Sequence, residues 1–126
     1  MIKKFRKELN AGTVSLMILS ILEQTRAPLY GYQIVKALEK LFPQGEPAVK
    51  QGTLYPVLRS MERNLLLKSE VQPSSSGPPR KYYVITGFGR EILDEWKMAW
   101  RQTRDMVDAI LDEKISLDPN EGQGNE

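Results

Sequence analysis

Six side chains in two short segments have the types and spacing that binding of a phosphate-rich polymer requires. They are Gln51, Thr53, Tyr55, Arg59, Arg80 and Lys81. Arginine and lysine neutralise phosphate charge, while amide and hydroxyl groups hydrogen-bond to phosphate oxygens or to base edges. The first four share one segment and the last two are adjacent in another. These residue types favour a nucleic-acid partner, and two separate elements must bring them together.

One predicted helix, over the segment QGTLYPVLRSMERN, would carry the first four residues. Its apolar positions recur at spacings of three and four, the pattern of an amphipathic helix. They are Leu54, Val57, Leu58, Met61 and Leu65. This stripe directs Tyr55 and Arg59 to the opposite face. We expect Thr53 to be the N-cap, because its hydroxyl can accept a free amide hydrogen bond, and Pro56 to lie in the first turn, where its missing N–H costs little.

A β-hairpin after this helix would carry Arg80 and Lys81. The first strand is predicted over residues 66–71, a turn-rich loop over residues 73–79, and an aromatic, β-branched return strand over residues 81–85. Because side chains alternate along a strand, the two cations would point to opposite faces. The two tyrosines that follow would do the same, and we expect one in the core and the other over the helix.

Three further helices are predicted around these elements. The first begins with basic residues and continues through the apolar residues 14–22, which we expect to be central and buried because hydrophobic side chains surround the helix. The second covers residues 29–42, and a loop rich in proline and glycine follows over residues 43–47. Its apolar face consists of Ile34, Val35, Leu38, Leu41 and Phe42. The last helix has Thr86 as its cap and runs from about residue 87 past residue 111.

Three helices, a hairpin and a long helix are the element order of a winged helix-turn-helix domain, so the fold class is mainly α with a small β-hairpin. In that fold the second helix of the turn motif enters the DNA major groove. We predict a DNA-binding domain over residues 1–86, a dimerisation helix over 87–115 and a disordered acidic tail over 116–126. The charge agrees, since residues 1–104 contain 17 Lys+Arg and 9 Asp+Glu while residues 105–126 contain 1 and 7.

The last helix has an apolar stripe near heptad spacing that a domain of this size cannot cover completely. The residues predicted to form a dimer contact are Leu93, Trp96, Trp100, Val107, Ile110 and Leu111. A second copy of the chain would bury them, which predicts a homodimer. Trp96 and Trp100 lie one helical turn apart and could also line a pocket for a flat aromatic ligand, and the two interpretations are compatible.

The composition excludes several classes of protein. The chain has 126 residues, is 40% hydrophobic and 27% charged, and contains neither cysteine nor histidine. Disulfide frameworks, zinc fingers and Cys- or His-based catalysis are therefore excluded. No apolar run reaches the roughly 20 residues of a membrane span, and no Gly-rich phosphate loop or nucleophile elbow is present. We expect no enzyme activity, cofactor or metal, and a reducing, cytoplasmic setting.

Three motifs together resemble the PadR-like transcriptional regulators. LYGYQIVKAL is similar to the second-helix motif of that family, GTLYPVLRSMERNLLL to its recognition helix, and GPPRKYYVITGFGREIL to its wing and the start of its last helix. The resemblance implies a homodimeric DNA-binding protein, usually a repressor, of the short form with one C-terminal helix. That helix would make the dimer contact, often with the partner's N-terminal helix. Some relatives stack an aromatic or drug-like effector on a tryptophan, a position that Trp96 or Trp100 matches.

Simpler interpretations stay open for each candidate residue. Tyr55 could pack against the wing, Thr53 could act only as a cap, and Arg59 could be a solvated surface side chain. Arg80 and Lys81 could be edge-strand charges that protect against aggregation. The basic residues of the N-terminus could contact the DNA backbone or form a disordered arm, and they are Lys3, Lys4, Arg6 and Lys7. For the whole chain, the alternative to a regulator of a near-palindromic operator is a winged-helix module that binds proteins without direct DNA readout.

Overall fold

The computed structural model describes residues 1–41 and 50–122 of the chain. Their elements, in order, are α1 (Ile2–Thr25), β1 (Leu29–Tyr30), α2 (Gly31–Leu41), α3 (Gln51–Arg63), β2 (Leu67–Ser74), β3 (Gly77–Ile85) and α4 (Gly87–Leu111). The predicted fold class is confirmed, and β1 is an addition to the predicted elements. Phe42, the predicted loop over residues 43–47 and the last four residues of the predicted acidic tail lie outside the described residues.

The strand β3 is the centre of a three-stranded antiparallel sheet with the order β1–β3–β2. The two residues of β1 pair with it, Leu29 opposite Tyr83 and Tyr30 opposite Tyr82. Along its other edge β3 pairs with β2 to form the hairpin. The start of α2 is thereby attached to the same strand that carries the two candidate cations.

The hairpin is longer than the sequence predicts. The expected loop over residues 73–79 is wrong, because β2 continues to Ser74 and β3 begins at Gly77, which leaves a two-residue turn between them. Pro73 has no N–H to give to the ladder, and the pairing is irregular between Gln72 and Ser74. An edge strand tolerates a proline at such an irregularity.

The chain divides into two compact units, residues 1–95 and residues 96–126. All four helices and both hairpin strands contribute to the apolar core of the first unit. Its buried side chains are Val14, Ile18, Leu19, Leu22, Ile34, Val35, Leu38, Leu54, Leu58, Met61, Leu66, Leu67, Tyr83, Ile85 and Leu93. In α1 the buried positions are spaced by four, one and three residues, so one face of the helix is buried. The other side chains of residues 13–23 are half-buried, so the expectation of a central, buried helix is met completely on one face and in part on the others.

Two leucines predicted to lie on apolar faces are exposed. Leu41 is the last residue of α2, and Leu65 follows the end of α3. Leu65 has φ of 64°, the left-handed conformation in which a helix cannot continue. The chain therefore leaves the apolar stripe of α3 before it reaches Leu65.

The helix α3 begins earlier than its predicted cap. Lys50, in extended conformation, is the N-cap, and its carbonyl accepts hydrogen bonds from the N–H groups of Thr53 and Leu54, both at 3.0 Å. The prediction of Thr53 as the N-cap is wrong, since Thr53 lies inside the first turn. Pro56 consequently lies in the second turn, where it cannot donate a hydrogen bond to the Gly52 carbonyl.

The predicted cap of α4 is confirmed. The N–H of Gly89 donates to Thr86 Oγ1 at 2.9 Å, and Thr86 Oγ1 donates to the Leu65 carbonyl at 2.7 Å. A Cβ at position 89 would lie 2.2 Å from the Leu66 carbonyl oxygen, so only glycine fits there. The first turn of α4 is thus packed against the segment that joins α3 to β2. Within the described residues no helix is long and apolar enough to cross a bilayer.

Candidate nucleic-acid interface

The exposed face of α3 carries the four residues that the sequence selects. Gln51, Thr53, Tyr55 and Arg59 are all solvent-exposed, because Leu54 and the other buried residues of α3 hold the opposite face in the core. Gln51 and Thr53 lie in the first turn, where the positive end of the helix dipole favours an anion. This face can therefore meet both phosphates and base edges.

Tyr55 packs against the start of α2. A Cβ at Gly31 would lie 2.6 Å from the Tyr55 hydroxyl oxygen and 2.7 Å from its ring, so the missing side chain of Gly31 provides the space for the tyrosine. The side chain is still 39% exposed. Tyr55 thus joins α3 to α2 while it keeps surface available for a ligand.

Arg80 lies on the face of β3 that meets the start of α2. Its guanidinium carbon is 4.5 Å from the centroid of the Tyr30 ring, within the range of a cation–π contact. Tyr30 meets Tyr82 edge to face at 5.4 Å and stacks nearly parallel to Tyr32 at 6.4 Å. We call these three aromatic residues the tyrosine cluster. They hold the guanidinium over a ring face and leave its charge intact.

The other end of the tyrosine cluster also has a cation. Lys36 Nζ lies 5.3 Å from the Tyr32 ring centroid and donates a hydrogen bond to Glu39 at 3.2 Å. That hydrogen bond is the main reason that the pKa of Lys36 is raised. Two positive groups thus flank the cluster. Lys36 is paired with Glu39, whereas Arg80 has no carboxylate partner within residues 1–41 and 50–122.

Lys81 lies on the opposite face of β3, toward α3. Its Nζ donates to Glu62 Oε1 at 2.8 Å, and Ser69 Oγ donates to Glu62 Oε2. The hydrogen bond that Lys81 donates, followed by the one that Ser69 donates, holds the pKa of Glu62 below its usual value. Donation to the Glu62 carboxylate is also the main reason that the pKa of Lys81 is raised. Both groups are therefore charged near neutral pH, and the pair has no net charge.

The structure confirms that the two cations and the two tyrosines of β3 alternate. Tyr83 is the core tyrosine, and this burial raises the pKa of its hydroxyl. Tyr82 contacts Tyr30, so the expectation that the second tyrosine covers α3 is wrong. The pairing of Glu62 with Lys81 has no local signal in the sequence. The two residues are 19 positions apart, and only the strand register brings them together.

The basic N-terminus belongs to α1. Lys3, Lys4, Arg6 and Lys7 are helical and exposed, so the alternative of a disordered arm is wrong. Among the described residues, no group of acidic side chains has the arrangement of a metal site.

Residues 96–111 of α4 present most of the residues selected for a dimer contact. Trp96 is half-buried, and Trp100 is 40% exposed. Val107, Ile110 and Leu111 are also exposed. Leu93 differs from them, because it is 1% exposed in the core of residues 1–95 and has almost no surface left for another chain.

Comparison with known proteins gives a consistent set of relatives. The model of the transcriptional regulator PadR-like family matches residues 18–95. A PadR family transcriptional regulator from Eggerthella lenta DSM 2243 is 37% identical, with a TM-score of 0.75 over 87% of this chain and 91% of that one. A PadR-like transcriptional regulator from Bacillus cereus strain ATCC 14579 is 34% identical, with a TM-score of 0.67 over 82% and 96%. A PadR family transcription regulator from Clostridium difficile R20291 is 35% identical, with a TM-score of 0.64 over 79% and 98%.

Proposed function

The chain belongs to the PadR-like family of transcriptional regulators, and on that basis we propose that it is a homodimeric repressor that binds a specific, near-palindromic DNA site in the cytoplasm. Its family is one of regulators and not of enzymes. Two observations carry the proposal: the exposed face of α3, and a hairpin cation, Arg80, that has no carboxylate partner within the described residues. Gln51, Thr53, Tyr55 and Arg59 supply hydrogen bonds and charge at solvent-exposed positions of α3, the kinds of group that major-groove readout uses.

Arg80 adds a contact outside the helix. It lies on the hairpin, the tyrosine cluster fixes its guanidinium, and no carboxylate of the described residues neutralises it. A guanidinium in such a setting suits a phosphate oxygen or a narrow minor groove. Lys81 has its charge compensated by Glu62, so Arg80 is the stronger candidate of the two for a contact with DNA.

A second copy of the chain would bury the exposed apolar residues of α4. Trp100, Val107, Ile110 and Leu111 supply that surface. Exposed apolar residues also follow helical spacing at the start of α1, namely Ile2, Phe5 and Leu9. Residues of this kind favour an interface between two chains. Two α3 helices could then enter successive major grooves about 34 Å apart.

A flat aromatic compound is proposed as an effector that binds at Trp96 and Trp100 and changes the separation of the two α3 helices. Two indoles one turn apart offer the stacking surface. Titration with a broad panel of aromatic compounds should quench tryptophan fluorescence, and a compound that quenches should also weaken DNA binding. A panel that does neither would end the effector proposal and leave DNA binding intact.

Selection of bound duplexes from a random pool tests DNA binding, symmetry and spacing together. We expect enrichment of a near-palindrome and an affinity that falls steeply as salt rises, because several phosphates are neutralised. Size measurement by light scattering should give two chains. Failure to enrich any sequence, with weak binding that is insensitive to salt, would favour the protein-binding alternative.

A further inference from the structure

Glu62 has two hydrogen-bond partners, one on each strand of the hairpin. It lies in the last turn of α3, and its carboxylate accepts from Ser69 on β2 and from Lys81 on β3. No other side-chain hydrogen bond joins α3 to these two strands in the part of the chain that the structure describes. One carboxylate therefore connects the helix to both halves of the hairpin.

The strand register explains why both partners reach the same carboxylate. Ser69 is opposite Tyr83 and Val71 is opposite Lys81, so these four side chains lie on one face of the hairpin, toward α3. The Lys81 ammonium is also 5.5 Å from the centroid of the buried Tyr83 ring. The ammonium is thus bound by the Glu62 carboxylate and lies beside the Tyr83 ring.

The position of Glu62 is unfavourable without these partners. The C-terminal end of a helix carries partial negative charge and favours a cation, so a carboxylate in this turn is repelled. A carboxylate on a DNA-binding surface would repel phosphates as well. Lys81 compensates both effects, and the lowered pKa of Glu62 agrees with a stable ion pair.

We propose that Glu62 is a positioning residue, which fixes the hairpin relative to α3 through Ser69 and Lys81 and thereby sets the specificity of DNA recognition. This inference rests on the proposed DNA-binding function. Bound to Glu62, Lys81 orients the hairpin; released from Glu62, it becomes a mobile cation that attracts phosphate without regard to sequence. Loss of the carboxylate should therefore raise affinity for unrelated DNA while it reduces discrimination.

The test uses Glu62→Gln in the full-length protein. The matched control is Glu70→Gln, because Glu70 is an exposed carboxylate on the same hairpin that makes no ion pair with any residue in the described ranges. Affinities are measured for the selected duplex and for a scrambled duplex. We expect Glu62→Gln to bind scrambled DNA more tightly and to lower the ratio of the two affinities about fivefold or more, comparable to the loss of one base contact. Glu70→Gln should tighten both affinities alike and leave the ratio unchanged.

A second pair of variants, made in protein that already lacks Lys81, distinguishes positioning from simple removal of charge. In a Lys81→Gln background, the further change Glu62→Gln should alter the ratio less than it does in the wild type, because the two residues act as one unit. The proposal would be overturned if Glu62→Gln lowered the affinity ratio equally in wild type and in the Lys81→Gln variant. It would also be overturned if Glu70→Gln lowered the ratio as much as Glu62→Gln does.

Hydrogen exchange without DNA separates this inference from the proposed function. We expect Glu62→Gln to speed amide exchange in the hairpin, residues 67–85, relative to α1, whereas Glu70→Gln should not. If wild-type protein preferred no duplex, the proposed function would fail, and the exchange rates of the hairpin would decide the structural role of Glu62 by themselves. Hairpin exchange that is the same in Glu62→Gln and in wild type would then overturn the positioning role of Glu62.

Discussion

The two faces of the β-hairpin carry neighbouring cations in opposite electrostatic states. On the α3 face, Lys81 is paired with Glu62, and the pair has no net charge. On the other face, Arg80 lies over the Tyr30 ring and has no carboxylate partner within the described residues. Alternation along one strand creates both environments, but the neighbouring elements decide which cation keeps a charge that DNA can use.

This difference assigns separate tasks to two adjacent basic residues. An aromatic ring holds a guanidinium in place without neutralising it, since its face is attractive but carries no net charge. A carboxylate holds an ammonium by cancelling its charge. Under the proposed function, one face of the hairpin contacts DNA and the other fixes the position of that contact.

The largest expected effect comes from a substitution at Gly89, which packs against the base of the hairpin and therefore affects both of its faces. A Cβ at Gly89 would meet the backbone carbonyl of Leu66, which cannot rotate away, at the base of the hairpin. We expect Gly89→Ala to lower the free energy of unfolding by about 2 kcal/mol or more, measured by urea denaturation. Gly52→Ala is the control, since a Cβ there meets no atom within 4 Å, and it should leave stability equal or slightly higher. Equal losses in both variants would show that the base of the hairpin can adjust.

A smaller effect should follow from removal of the Arg80 charge. We expect Arg80→Gln to weaken binding of the selected and the scrambled duplex alike, by about three- to tenfold at physiological salt, because a phosphate contact carries no sequence information. Lys68→Gln removes another exposed cation of the hairpin, at its base, and should change affinity less. The measurement is fluorescence anisotropy with labelled duplexes. A loss confined to the selected duplex would instead make Arg80 a base contact.

The smallest expected effect is the pH dependence of the Glu62–Lys81 pair. The pKa of Glu62 is lowered by folding, so its stabilisation is complete above the usual glutamate value of about 4.3 and is lost as pH falls through the folded pKa. The pKa of Lys81 is raised, so its share is complete below about 10.4 and is lost above the folded pKa. The side chains are 42% and 30% exposed for Lys81 and Glu62, so solvent screening limits the pair to about 0.5 kcal/mol.

Unfolding measurements at several pH values test the predicted direction of this pH dependence. The difference in unfolding free energy between wild type and Glu62→Gln should be constant from about pH 5 to 10 and should shrink below about pH 4, where the carboxyl is protonated. A difference that grows on acidification would contradict the ion pair. Glu70→Gln supplies the reference profile for a hairpin carboxylate that has no cation partner in the described ranges.

Local patterns in the sequence predict most of the fold. Periodic apolar residues identify the helices, and the Thr86 cap marks the start of α4. The two residues of β1 are too few for any periodic signal, and they form a strand because β3 offers them an edge. Ser, Gly and Pro content argues against strands over residues 73–79, but pairing within the hairpin overrides that propensity.

The candidate site is less predictable than the fold because its important contacts join distant parts of the chain. Exposure of Tyr55 and Arg59 follows from the apolar stripe of α3. The seat of Tyr55 on Gly31 requires the packing of α2 against α3, and the different partners of Arg80 and Lys81 require the sheet register. Sequence alone selects the two cations but shows neither the Glu62 partner of Lys81 nor the Tyr30 ring beneath Arg80.

The salt dependence of duplex binding tests the contrast between the two faces most directly. On a plot of log affinity against log salt, Arg80→Gln should have a slope shallower than wild type by about 0.9, the value of one phosphate contact. The double variant Glu62→Gln with Lys81→Gln removes a pair without net charge, and its slope should equal that of wild type. Equal slopes for wild type and Arg80→Gln, together with a shallower slope for the double variant, would contradict the account.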